Sequence, residues 1–470
     1  MNCFRSALFL ACFSLFSVWG RSQTVREVFP FPSTTPSYGA TVSVVQGRDA
    51  KLYGTTGGGS QSTSTPGSIF NTSTGGQSSI LHDFDGTDGE TPQAGLTLAE
   101  DGNYYGTTTG GGVSSAGVLF KVTPTGSYSL VHQFTYGSDG GSPAAAPLEA
   151  SDGNLYGTTA VGSTSGGGTV YRYSPGSGAF NTIFSLNQDG SEGNFILAPL
   201  IQAANGYLYG TAEFGGANGC GTIFTLTTSG TLLHVYSFPC GAGGNLPAGP
   251  LVQGTDGNLY GTTQWGGNVS SSGECDSGCG TIYKVSHGVV SILYRSSGYP
   301  NDGGLAIAGL IQGTDGNLYG GTDRGGANDF GTLFQISLSG QYKLLYSFVD
   351  AIGSGANAAL LQHTSGKFYG TTSFGGQNGV GAVYSLDMGL GPFIALVRYT
   401  GRIGQPVQIL GQGLSGSTAV TVNGVAATTF KVVSNTYMTA VVPTGATTGP
   451  VIVTTPTGML TSNHNLRIVQ

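Results

Sequence analysis

The stretch "TDGNLYGTTQWGG", residues 255–267, holds one acid, two aromatics and four glycines, and a near copy, "TDGNLYGGTDRGG", begins at Thr314. Neither phrase is chemically reactive, so its information lies in its recurrence. The Tyr-Gly pair returns at Tyr53, Tyr105, Tyr156, Tyr209, Tyr260, Tyr319 and Tyr369, in steps of 52, 51, 53, 51, 59 and 50 residues. A fixed period of roughly 20–50 residues marks an architecture in which each unit needs its neighbours to bury a core.

A second column follows, a glycine and, three residues on, an aromatic: Gly67/Phe70, Gly117/Phe120, Gly168/Tyr171, Gly221/Phe224, Gly280/Tyr283, Gly331/Phe334 and Gly381/Tyr384. The Tyr-to-Gly distance is 12 in five repeats, 14 in the first and 20 in the fifth, whose surplus falls in one loop, "GGNVSSSGECDSGC". The third column is an apolar run closing on Phe84, Phe134, Phe184, Phe238 and Phe348, with Ser296 in the fifth repeat. Turns such as "TTSG" and "TDGN" separate the columns, so each unit reads as four short strands in two hairpins, the content of one propeller blade.

The predicted fold is all-β: a seven-bladed β-propeller over 25–386, a linker at 387–391 and an immunoglobulin-like β-sandwich over 392–470. The last repeat stops at "GAVYSL" without its third-column strand, whereas "VREVFPF" near the N-terminus is unassigned. Val25 to Phe31 is therefore expected to complete the seventh blade and remove an exposed sheet edge.

Composition agrees. Among 470 residues 38% are apolar and 8% charged, with 84 glycines and a net charge of −7, which excludes a disordered chain. The 16 basic residues form no cluster, so nucleic acid is not an expected partner. Arg5 followed by "SALFLACFSLFSVW" reads as an export signal over 1–20, cleaved after Gly20, with a lipoprotein signal ending at Cys12 as the competing reading. No second apolar stretch is long enough to span a membrane, so a secreted or cell-surface protein is expected.

Export removes Cys3 and Cys12 and leaves Cys220, Cys240, Cys275 and Cys279. Cys220 and Cys240 sit symmetrically about one hairpin and Cys275/Cys279 share one loop, so these pairs are the expected disulfides; a zinc site is the alternative.

The recurring "dGnlYGTT..GG....GtiF" core resembles the GloVer tandem repeat of bacterial exported proteins, from about Val25 to Leu386. That resemblance implies an extracellular or surface-displayed protein and no catalytic residues. From Pro392, "GRIGQPVQILGQGLSGSTAVTVNGVAATTF" and "TAVVPTGATTGPVIVTTPTG" resemble an IPT/TIG immunoglobulin-like domain. Some such domains bind DNA through basic loops, but Arg398, Arg402, Lys431 and Arg467 are sparse here.

Asp101, Asp152, Asp256 and Asp315 precede Gly-Asn, where a side chain capping its own turn accounts for them. Asp85, Asp88, Asp139, Asp189 and Asp302 are read as solvated loop acids, with calcium binding as the alternative. His82 and His132 occupy equivalent strand positions. Neither a nucleophile elbow, a zinc-protease motif nor a phosphate loop occurs, and no metal or cofactor is expected. Phe214, Trp265, Arg324 and Phe374 hold similar places in the last four repeats, an arc suited to sugar rings or anionic partners. The chain is accordingly expected to be a monomeric, non-catalytic binding protein for glycans or another surface protein. A glycan-active enzyme and a structural spacer are the alternatives.

Overall fold

The computed structural model describes residues 23–32, 42–57, 66–163, 166–187, 189–268, 275, 277–306 and 308–469. The expected export segment, with Cys3 and Cys12, lies outside them. Among the described residues the chain is all-β, with a single 3-10 turn at Gly241–Gly243. Seven four-stranded antiparallel sheets follow the repeat. The fifth, which contains the opening phrase, runs Val252–Gln253, Leu259–Thr263, Thr281–Ser286 and Val289–Arg295. The seventh consists of Leu361–Gln362, Phe368–Thr371 and Ala382–Asp387, and takes its fourth strand from Thr24–Pro30. That strand pairs antiparallel, Thr24 opposite Asp387 through Pro30 opposite Ala382.

Apolar clusters join the sheets pairwise in order. One holds residues of the first and second sheets, and others the second and third, third and fourth, fourth and fifth, fifth and sixth, and sixth and seventh. A further cluster brings Tyr369 and Val383 of the seventh against Leu52 and Phe70 of the first, so the contacts run in a cycle. The repeat tyrosines lie in these junctions: Tyr156, Tyr260 and Tyr319 are fully buried, and each such ring contributes roughly 1.5–3 kcal/mol.

The phrase itself is a set of joints. The aspartate carboxylate accepts the hydroxyl of the tyrosine four residues on, at 2.7 Å for Asp256/Tyr260 and 2.8 Å for Asp315/Tyr319. The glycine after the tyrosine makes room for the second-column aromatic: a Cβ on Gly320 would stand 2.6 Å from Phe334 Cζ, and one on Gly106 2.5 Å from Phe120 Cζ. The first threonine reaches the next sheet, Thr55 Oγ1 donating to Ala94 O at 2.9 Å and Thr107 to Ala145 O at 3.0 Å. Thr211 and Thr262 repeat the bond to Gly249 O and Ala308 O, and Thr371 donates to Val42 O of the first sheet at 3.0 Å. The second threonine stays local, Thr322 Oγ1 accepting from Thr332 N–H at 3.0 Å.

A second joint is an amide. The N–H groups of Ser151, Ala204, Thr255, Thr314 and Thr364 donate to the side-chain oxygens of Gln202, Gln253, Gln312, Gln362 and Gln46 in the following sheet, at 2.8–3.0 Å. Glu149 replaces glutamine at the junction of the second and third sheets, accepting from Glu100 N–H at 3.0 Å. Burial, and then the charge of Glu100, push its carboxyl up to about 7.

The third column needs one correction. The buried residue whose N–H returns to the second-column glycine is Phe84, Phe134, Phe238, Ser296 and Phe348, and Phe31 in the seventh sheet, as expected, but Leu186 in the third. Phe184 lies two residues earlier on the same face of its strand, so alternation alone does not separate the two. The Cys220–Cys240 and Cys275–Cys279 disulfides are both formed, with Cα–Cα separations of 5.4 and 5.1 Å.

Residues 394–468 build two further four-stranded sheets, Val407, Ile409 and Met438 of one packing against Val420, Val451 and Val453 of the other. This sandwich sits on the Asp-Gly-Asn turns. Arg398 Nη2 meets Glu100 Oε2 at 3.0 Å, Gln408 Nε2 donates to Glu100 O at 2.6 Å, Thr436 Oγ1 to Arg48 O at 2.7 Å and Arg467 Nη1 to Ala204 O at 2.6 Å. Leu410 and Tyr437 join the cluster of the first two sheets.

Thr371→Val removes the bond that ties the seventh sheet to the first and should lower stability by about 1–2 kcal/mol in chemical denaturation. Thr158→Val, at a buried hydroxyl with no partner, should be neutral or stabilising. Glu149 has a raised pKa in the folded chain, so its contribution is complete below the ordinary glutamate value and is lost as pH rises through about 7. Glu149→Gln should therefore flatten the fall in stability between about pH 4.5 and 7, gaining on the order of 1–3 kcal/mol at the upper end; equal pH slopes in both proteins would contradict this.

Candidate functional site

In the second to seventh sheets the second strand leads to a residue that bridges back to the loop entering that sheet, among them Phe214 to Asn194, Trp265 to Asn245, Arg324 to Gly304 and Phe374 to Ser354. The four arc residues thus share one register position, at the end of the ring away from the Asp-Gly-Asn turns and the sandwich. Phe214 and Phe374 are 43% and 41% exposed, and Trp265 is half-buried. The Phe214 ring meets Phe195 edge-on at 5.9 Å. Arg324 is exposed and shares its charge with Asp323 and Asp329, each at 3.7 Å.

The residue before each arc position forms a column that the sequence reading passed over: Thr109, Ala160, Glu213, Gln264, Asp323 and Ser373. Its backbone is fixed the same way each time, Glu213 N–H donating to Phe195 O, Gln264 to Leu246 O and Asp323 to Leu305 O. The accepting residues Phe195, Leu246 and Leu305 all adopt positive φ, 64°, 55° and 55°. Repetition of that strained geometry in successive sheets makes it the device by which the chain turns inward, not a mark of one site. Glu213 is distinctive: burial alone pushes its carboxyl up to about 7. It stands between buried Ala212 and exposed Phe214, a proton donor poised at neutral pH beside an apolar ring.

The remaining acids divide. Asp101, Asp152, Asp256 and Asp315 accept from the N–H two residues on, as turn caps do. Asp85 and Asp189 are exposed loop acids. Asp88 and Asp139 depart from the solvated reading, because they hydrogen-bond to His82 at 2.7 Å and His132 at 3.1 Å. Those imidazoles stack on Tyr128 and Phe180 of the next sheet, at 3.9 and 3.6 Å. Asp302 departs furthest: it is buried, accepts the Tyr294 hydroxyl, and burial raises its pKa.

A search of curated proteins gives no match. Among solved structures the chain is similar to a fungal alcohol oxidase of the AA5 family in complex with copper, with TM-score 0.52 and 13% identity over 95% of this chain and 99% of that one. It is also similar to an oligogalacturonate lyase in complex with manganese, with TM-score 0.50 and 14% identity over 77% and 92%. A periplasmic gluconolactonase of Pseudomonas aeruginosa gives TM-score 0.44 and 15% identity over 72% and 97%. At these identities the likeness is one of fold. The oxidase and the lyase are enzymes, so the expectation of a non-catalytic binder is corrected to this extent: the fold the chain shares is one that carries catalysis. Copper and manganese are properties of those proteins; among the described residues no group of three His, Cys, Asp or Glu is placed to hold a metal ion. Likewise, no helix among them is long and apolar enough to cross a membrane. The model of the Gloeobacter/Verrucomicrobia repeat matches residues 14–149, 99–275 and 269–436, and the chain belongs to that family.

Proposed function

We propose that this chain is an exported, glycan-active enzyme, a glycosidase or lyase, built as a seven-bladed β-propeller closed by its N-terminal strand and followed by an IPT/TIG-type immunoglobulin-like domain. The cyclic order of the apolar clusters supports the propeller, and the two packed sheets of residues 394–468 support the second domain. Two disulfides fit an oxidising, extracellular setting. The active end is the one carrying the Gly-Gly loops, since the sandwich covers part of the other.

The observation that carries the catalytic reading is the Glu213 carboxyl, raised to about 7 by burial beside exposed Phe214. In glycoside hydrolysis it donates its proton to the leaving oxygen as the C1–O bond breaks. Asp323, in the same register position two sheets on, accepts a proton from the water whose oxygen bonds to C1. Glycoside hydrolysis of this kind divides its work between a proton-donating acid and a second carboxyl group on the opposite face of the sugar. Phe214, Trp265 and Phe374 offer faces for sugar rings, and Arg324 offers a cation to an acidic sugar.

Release of reducing ends from a panel including xylan and polygalacturonate tests the reading. Turnover should fall as pH rises through about 7, where Glu213 loses its proton. Glu213→Gln should lower kcat by about a hundredfold or more. Activity within a few-fold of the parent, at every pH, would remove Glu213 from the mechanism.

A further inference from the structure

At the junction of the fourth and fifth sheets the chain departs from the repeat in four places, and three of them line one groove of about 760 Å³. First, the turn aspartate becomes Asn205. In five sheets the tyrosine hydroxyl donates to a carboxylate; here Asn205 Nδ2 donates to the Tyr209 hydroxyl at 2.8 Å, leaving the phenolic proton of Tyr209 free. Second, the asparagine two residues on, present as Asn103, Asn154, Asn258 and Asn317, becomes Tyr207, which is 41% exposed.

Third, three other junctions close this level by stacking rings: His82 on Tyr128, His132 on Phe180 and Tyr294 on Tyr342, at 3.9, 3.6 and 4.1 Å. The register that pairs Tyr342 with Ile336 and Tyr128 with Val122 pairs Val290 with Val285, so a valine stands in the fifth sheet where those rings stand. Tyr236, the counterpart of His82, His132 and Tyr294, therefore keeps an open face. Fourth, the fifth sheet's outer hairpin is a two-residue turn, with His287 and Gly288 at φ 50° and 80°, which brings His287 to the rim.

The result is a groove lined by three tyrosines, with His234 and His287 along it. The carboxylate at its edge, Asp256, is held by Lys284 at 3.0 Å, so the lining offers no unpaired charge among these groups. Its size suits a small ligand, and flat rings interleaved with single hydrogen-bond donors suit a pyranose, which presents an apolar face and an equatorial fringe of hydroxyls. We infer that this groove is a second carbohydrate site, for a neutral oligosaccharide, separate from the Glu213 end. The site holds the polymer and does no chemistry on it.

The test uses the full chain carrying Glu213→Gln, so that no probe is consumed, titrated with cellohexaose, xylohexaose and oligogalacturonate by calorimetry. A neutral hexaose should bind. Tyr207→Ala should weaken it by about tenfold or more, the equivalent of ~1.4 kcal/mol. Val290→Tyr, which installs the ring found in the second, third and sixth sheets, should abolish binding without lowering the melting temperature. Absence of binding to both neutral hexaoses, binding of oligogalacturonate alone, or binding unmoved by either substitution would overturn the inference. Turnover lost on Glu213→Gln is read separately, so each site can fail alone.

Discussion

The structure depends on a hydrogen bond made five times: a buried threonine hydroxyl, first after the Tyr-Gly pair, donating to a backbone carbonyl of the neighbouring sheet. A four-stranded sheet with a two-residue innermost strand cannot bury both faces alone, so its stability comes from its neighbours. Each joint contributes only about 1 kcal/mol net. What makes them decisive is direction, because every threonine and every glutamine fixes the angle at which the next sheet meets the last. The bonds from Thr371 to Val42 and from Thr364 to Gln46 carry that geometry from the seventh sheet back to the first. The joint is missing twice: the Thr158 hydroxyl of the third sheet has no partner, and Gly321 takes the threonine's place in the sixth sheet, where a Cβ would stand 2.7 Å from Ala356 O.

Much of this was legible in the sequence, for a physical reason. Tyr-Gly and Gly-x-x-aromatic are two halves of one contact, ring over glycine, so neither half can drift without the other. The N-terminal strand was legible because the last repeat is short by one strand. Phe184 was read as the third-column residue in place of Leu186 because two residues on one face of a strand are equivalent to any argument from alternation. Glu149, Glu213 and Asp302 were not legible as perturbed acids, since burial and neighbours far along the chain raise them; Glu149 takes its second push from Glu100, 49 positions away. Aligning the column of Thr109, Ala160, Glu213, Gln264, Asp323 and Ser373 would have exposed Glu213 as its lone glutamate.

Repetition supplies the frame, and departures from it supply the chemistry. The two ends of the ring differ accordingly. One is occupied by the Asp-Gly-Asn turns, whose acids are spent on tyrosine hydroxyls, and by the sandwich, anchored through Arg398, Gln408 and Thr436. The other holds left-handed loop residues, the arc of Phe214, Trp265, Arg324 and Phe374, and the buried Glu213 carboxyl to which the proposed proton transfer is assigned.

The most direct measurement is a cross-link across the joining strands. Arg26 and Ser385 face each other in the pairing. A protein with cysteine at both positions should form that disulfide on mild oxidation, within one chain, as peptide mapping by mass spectrometry would read. Two freely alkylated thiols, or a bond only between chains, would mean that the first strand does not complete the last sheet and that the cycle of joints is not closed.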